Sequence, residues 1–334
     1  MDERPFFIVG SPRSGTTLLR FMLASHPRLW VPAETGFVPF LRVPPDQTLS
    51  PSETARVCRR IGQLNRGWHD TAAATSTAVR EQQNLRLGDL LDTLYRSRMA
   101  DSGAAQWGDK TPGYKLHVPL IARIFPSGQF IHLIRDGRDV TLSAMAKWRH
   151  RFPERLYMDE IYLVRSWVRA VRCGRAAGAE LGPNRYLDLR YEDLAEDPEG
   201  TLIRTCSFLG EDFHPDMLHH EALAQRVISS AGHAEVRDPV SSTRIGRWRT
   251  EMTPCHLWAA ERVAGNTIAE LGYEVTATRP PSATALVKLT IKAARCTAVR
   301  GVQRALEVCG FARLNRGKRR RRRDWGSRSS MGAR

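Results

Sequence analysis

The chain has 334 residues, of which 42% are hydrophobic and 26% charged, and a formal net charge of +16. That length suits one large α/β domain with an appendage. No repeat of 20–50 residues is visible, and no apolar run nears the ~18 residues of a membrane span, so neither a solenoid nor a spanning helix is expected. The charge is unevenly placed. Residues 282–334 hold 15 Lys/Arg against 2 acids, whereas the other 281 residues hold 36 against 33. The core is therefore nearly neutral, and a whole-chain argument for nucleic acid is misleading. The first residues, Met1-Asp2-Glu3-Arg4, carry acids and no apolar stretch, so no signal peptide is read. Six scattered cysteines without a Cys-x-x-Cys pair predict reduced thiols, no metal site and a cytoplasmic protein.

Phe6-Phe7-Ile8-Val9 reads as a buried strand. Gly10 to Gly15 form a loop, and Leu18, Leu19, Met22 and Leu23 recur at helical spacing. Strand, glycine loop and helix N-terminus make an anion site, because backbone N–H groups and the helix dipole both favour negative charge there. The loop differs from the ATP-binding pattern G-x-x-x-x-G-K-[ST], since Thr16 stands where the lysine belongs and Arg13 carries the positive charge instead. A P-loop-like nucleotide kinase is thereby the disfavoured alternative. Residues 28–32 form a second strand, and Glu34 follows its carboxyl end, where ligands gather in doubly wound sheets. Residues 42–56 read as loop. Helices are expected over about 53–66 and 78–100, with a patternless stretch between, the whole making a helical insertion at about 45–105 that covers the acceptor site.

Pro112 places Lys110 in a loop before a helix over 113–125. The lysine pairs with neighbouring Asp109 on one reading and faces a ligand on the other. Phe130-Ile131-His132-Leu133-Ile134 is the strongest strand. Arg135 at its end and Ser143, eight residues on in a new helix, can converge on one anion by a guanidinium fork and a hydroxyl. Asp136 and Asp139 are read as structural. A helix follows at about 157–181, then a strand over 185–191, a helix to Leu209, and an amphipathic helix over 255–272.

Pro12-Arg13-Ser14-Gly15-Thr16-Thr17 resembles the 5′-phosphosulfate loop of sulfotransferases that use 3′-phosphoadenosine 5′-phosphosulfate (PAPS). With His26-Pro27 and Glu34-Thr35 it is similar to the tyrosylprotein-sulfotransferase-like branch, which has many bacterial members. The resemblance covers roughly residues 5–275. It implies a P-loop-like three-layer α/β fold with a mainly parallel central sheet flanked by helices. It implies PAPS as co-substrate, no metal, and transfer of a sulfuryl group to a hydroxyl acceptor: carbohydrate, lipid, glycolipid or tyrosine. Arg13 to Glu34 span the family's distance between loop arginine and catalytic glutamate. Glu34, Arg13 and Lys110 are thus implied as catalytic. Pro12, Arg13, Ser14, Gly15, Thr16 and Thr17 are implied on the phosphosulfate, Arg135 and Ser143 on the 3′-phosphate, with Tyr191 and Arg247 also at the nucleotide. Gly246 departs from the pattern, where tyrosylprotein enzymes place a serine.

The catalytic domain is bounded at 1–278. Residues 279–334 form a linker, a basic amphipathic helix and the polybasic run Lys318–Arg323. Residues 283–323 read as an anionic-membrane contact, peripheral at the inner membrane face. A nucleic-acid contact is disfavoured by scarce aromatics, while a flexible solvated tail stays open. A non-catalytic binding protein acting through this tail is the second functional class.

Overall fold

The computed structural model describes residues 4–82, 85–151, 159–227, 235–276 and 280–288, with a few positions up to 298. Its centre is strand β1 (Phe6–Gly10), which leads through the glycine loop into α1 (Thr16–Ala24) and the two-residue β2 (Leu29–Trp30). The bridge strand β3 (Thr48–Leu49), helices α2 (Pro51–Leu64) and α3 (His69–Ala78), strand β4 (Leu85–Arg86) and helix α4 (Leu87–Met99) form the insertion. The chain then returns as β5 (Gln106–Lys110), α5 (Val118–Ile124), β6 (Gln129–Ile134), α6 (Gly137–Arg151), α7 (Glu160–Leu181) and β7 (Tyr186–Arg190). Helices α8 (Tyr191–Glu196), α9 (Pro198–Leu209), α10 (His220–Val227), α11 (Trp248–Glu251) and α12 (Pro254–Glu270) complete it.

Five strands pair in the order β2-β5-β1-β6-β7, every neighbour parallel. β1 is wholly buried because both faces of the sheet are covered. Side chains alternate across a strand. Phe6 and Ile8 therefore join Ile131, Leu133, Leu19 and Met22 on one face. Phe7 and Val9 join Trp107, Phe130, Tyr95 and Trp68 on the other. The insertion helices contribute Val57, Ile61, Leu90 and Leu94 to that second cluster.

Several boundaries differ from the sequence reading, each for a local reason. The loop expected over 42–56 contains β3 and the start of α2. Ser50 and Glu53 form a reciprocal capping box there, with Pro51 in the first turn. The patternless stretch is α3, whose buried face is only Ala72 and Thr75, too small to show a hydrophobic stripe. Residues 113–125 divide into a 3₁₀ turn, Pro112–Leu116, and α5. Lys110 is not in a loop; it is the last residue of β5, whose register against β1 pairs it with Ile8. Residues 283–288 are helical and largely exposed, whereas the rest of the 283–323 reading, including Lys318–Arg323, lies outside the described residues apart from scattered positions.

Candidate active site

Read along the sheet, the carboxyl ends of all five parallel strands supply one rim. Glu34 follows β2, Lys110 ends β5, the 11–17 loop follows β1, Arg135 follows β6 and Tyr191 follows β7. A cleft of about 340 Å³ runs along this rim and is lined by Glu34, residues 12–13 and 15–18, Arg135, Ser143 and Tyr191 among others.

The α1 N-terminus opens into it. Gly15 is the N-cap, at φ +92°, and among the described residues no side chain caps the helix, so its first amides are left for a ligand. Glycine is required here for space as well as for φ, since a Cβ would strike the Tyr191 ring. Ser11 Oγ and Ser14 Oγ are buried without a hydrogen-bond partner among the described residues. Arg13 is held at φ +76°, an uncommon conformation for a residue with a side chain. Its guanidinium joins α6 to the segment beginning at Glu235: Nε donates to Ser143 Oγ on α6 at 3.0 Å, and Nη2 to the Glu235 carboxylate at 3.0 and 3.1 Å.

On the other side of the loop, Lys110 Nζ donates to Glu34 Oε1 at 2.6 Å and to Thr17 Oγ1 at 3.4 Å. The lysine side chain is 4% exposed and the glutamate 50%, so the pair has one buried and one open member. Burial lowers the Lys110 pKa, and Glu34 opposes the shift. The pair rests on a polar network. Asp109, fully buried, accepts from the hydroxyls of Thr35, Tyr95 and Thr111, and Tyr114 shares the Thr35 hydroxyl at 2.9 Å. Burial raises the Asp109 pKa against those hydrogen bonds. Lys110 makes its ion pair with Glu34 and feels the Asp109 charge only through space, and Asp109, fully buried, is not open to a substrate hydroxyl.

At the far end, the Arg135 guanidinium lies 4.4 Å from the Tyr191 ring centroid. Its nitrogens donate to the carbonyls of Arg13 and Arg244, it pairs with Asp139 at 3.7 Å, and Nε has no partner among the described residues. Asp139 also accepts from the amides of Gly246 (2.8 Å) and Trp248 (3.0 Å), fastening the 241–248 segment to the first turn of α6. Asp136 instead holds Arg138, which reaches Glu261 on α12. Both aspartates are thus structural.

Arg247 does not reach the cleft. It forms an i,i+4 pair with Glu251 at 2.6 Å, and that hydrogen bond, the largest cause, raises its pKa. Arg244, three residues earlier, lines the cleft in its place, with Ser241 and Thr243. Lys147 and Glu235 also line it and were not foreseen. Lys147 lies one turn beyond Ser143 on α6, so helical spacing from Ser143 could have found it. Nothing local marks Glu235.

A sequence model of the sulfotransferase family matches residues 5–215. The chain belongs to the sulfotransferase family. A putative protein-tyrosine sulfotransferase of Caenorhabditis briggsae is 24% identical over 291 residues, covering 83% of this chain and 92% of its own. Protein-tyrosine sulfotransferase 2 of Gallus gallus is 26% identical over 292 residues, covering 82% of this chain and 70% of its own. The solved sulfotransferase domain of the Synechococcus PCC 7002 olefin synthase aligns with a TM-score of 0.54 at 25% identity, covering 83% of this chain and 98% of that one. The domain from the curacin biosynthetic pathway gives 0.56 at 23% over 81% and 98%, which supports the fold.

The enzyme is a PAPS-dependent sulfotransferase acting on hydroxyl acceptors. The residues present fit the co-substrate. The α1 amides, the Ser14 hydroxyl and the Arg135 Nε have no side-chain partner among the described residues; the first two suit the phosphosulfate and the third suits a second anion.

Proposed function

We propose that this sulfotransferase transfers the sulfuryl group to a tyrosyl hydroxyl, with Glu34 as general base and Lys110 as the cation at the transferring group. The observation that carries the chemistry is the Glu34–Lys110 pair at 2.6 Å, set beside the uncapped α1 N-terminus. Lys110 takes Oε1 and leaves Oε2 to receive the acceptor proton. As the acceptor oxygen bonds to sulfur, the sulfur–oxygen bond to the phosphate breaks and the phosphate keeps the electron pair. Charge on the peripheral and leaving oxygens is met by Lys110, Thr17 and the α1 amides, as in other in-line displacements. PAPS supplies the activated sulfuryl group.

Pro12 to Thr17 are proposed to cradle the phosphosulfate. Arg135 and Ser143 take the 3′-phosphate, and Tyr191 packs between the loop glycine and Arg135. Arg13, directed to Ser143 and Glu235, bridges the two anion sites rather than standing with Lys110. The tyrosyl acceptor is supported by the protein-tyrosine sulfotransferases that match over more than four-fifths of the chain. Residues 1–278 form the catalytic unit on this reading. The basic 283–323 segment is proposed as a contact with anionic membrane at the cytoplasmic face, supported by its charge.

The test is transfer of labelled sulfate from PAPS to a panel of tyrosyl peptides, sugars and simple alcohols. Label on tyrosine is the expected result. Label on sugars alone would overturn the acceptor class, and transfer to no hydroxyl would overturn the chemistry.

A further inference from the structure

The cations of the nucleotide cleft close around a carboxylate of the protein itself. Arg13 Nη2 donates to both oxygens of Glu235, at 3.1 and 3.0 Å, and Arg244 Nη1 lies 3.7 Å from Oε1. The same Arg13 guanidinium gives its Nε to Ser143 Oγ at 3.0 Å. Glu235 is therefore one guanidinium away from the hydroxyl read as a 3′-phosphate ligand. It lines the cleft together with Arg135 and Lys147, and its side chain is 39% exposed. Burial works to raise its pKa, but Arg13, Arg244 and Lys147 outweigh burial and hold it below the ordinary value. The group is a carboxylate at neutral pH. Carboxylate and phosphate present arginine with the same kind of acceptor, so one can stand where the other binds.

We propose that Glu235 is an internal counterion of the 3′-phosphate subsite, displaced when a 3′-phosphorylated nucleotide enters, and that it sets how tightly the enzyme holds PAPS and the spent adenosine 3′,5′-bisphosphate. The proposal rests on the reading of Arg135 and Ser143 as that subsite. A phosphate monoester carries about −1.5 to −2 charges near neutral pH, against one for the carboxylate, so the exchange runs toward the nucleotide. It still requires breaking the Arg13–Glu235 pair, and the apparent affinity is reduced by the fraction of molecules in which the pair is closed. A nucleotide with a 3′-hydroxyl has no group to make the exchange and leaves Glu235 in place. Return of the carboxylate then helps expel the spent nucleotide after transfer.

Calorimetry on the full chain separates the possibilities, using adenosine 3′,5′-bisphosphate and adenosine 5′-phosphate with wild type, Glu235→Gln and Arg135→Ala. A partly exposed ion pair contributes up to about 1 kcal/mol, so Glu235→Gln should tighten the bisphosphate by up to about fivefold. It should leave the 5′-phosphate nearly unchanged, and slow bisphosphate dissociation in stopped flow. Unchanged or weaker bisphosphate binding in Glu235→Gln, with Arg135→Ala losing the bisphosphate selectively, would overturn the counterion and keep the subsite. Equal losses for both nucleotides in Arg135→Ala would overturn the subsite and the counterion with it.

Discussion

Lys110→Met removes one ammonium and keeps most of the side-chain volume. The lost contacts are the 2.6 Å bond to Glu34 and the 3.4 Å bond to Thr17. Deleting a preorganised donor at developing charge lowers kcat by about 10²–10³-fold. Stability responds differently. Lys110 is buried, while the Glu34 side chain is 50% exposed, so water replaces the ammonium at the carboxylate. The net change should stay within about 1 kcal/mol, the scale of a solvent-screened pair. The pH dependence has a definite sign. Burial lowers the Lys110 pKa in the folded state, with Glu34 opposing, so the unfolded chain binds more protons as pH rises through that lowered value. Wild-type stability should therefore rise relative to Lys110→Met over that range, up to the unfolded value. Single-turnover transfer from PAPS measures the chemical step, and calorimetry measures adenosine 3′,5′-bisphosphate binding. A large loss of rate with little loss of affinity is expected. A mutant rate near that of the wild type would refute the role given to this lysine.

Two further changes probe the platform. Asp109→Asn leaves an amide that cannot accept from the hydroxyls of Thr35, Tyr95 and Thr111 as the carboxylate does. It should lower stability by about 1–3 kcal/mol and reduce kcat more than nucleotide affinity, measured by denaturant melts and steady-state kinetics. Lys115 is buried, and burial lowers its pKa from 10.5 to about 8. A lysine depressed on folding makes stability rise with pH between those two values, because the unfolded state holds the proton longer. Lys115→Met should stabilise by about 1–3 kcal/mol below pH 8, with the gain fading as pH rises through that window, as melts from pH 7 to 10.5 would show.

The anion loop was legible because its signal is local: an apolar strand, glycines and a helix period within 20 residues. Arg135 and Ser143 were legible for the same reason, on either side of one strand–helix turn. Their convergence is less direct than two groups on one anion, since Arg13 already holds Ser143. β5 was not legible as a strand. Gln106-Trp107-Gly108-Asp109-Lys110 has no alternation, because both its faces are buried and one of them houses the Asp109 network. Only pairing with β1 and β2 makes it extended. The exchange of Arg247 for Arg244 follows from Gly246 at φ +71°, which turns the chain so that Arg247 becomes the N-cap of α11 and meets Glu251 one turn on. Glu235 was invisible because its partners, Arg13 and Arg244, come together only in the folded chain.

Glu34→Gln tests the central claim most directly, since it preserves shape and removes the proton acceptor. Transfer of labelled sulfate from PAPS to the best acceptor of the panel should fall by about 10²–10⁴-fold, the usual contribution of a positioned base. Adenosine 3′,5′-bisphosphate should bind nearly as it does to wild type. Turnover close to wild type, or a rise in acceptor KM with kcat intact, would contradict Glu34 as the base and leave it only to orient the acceptor.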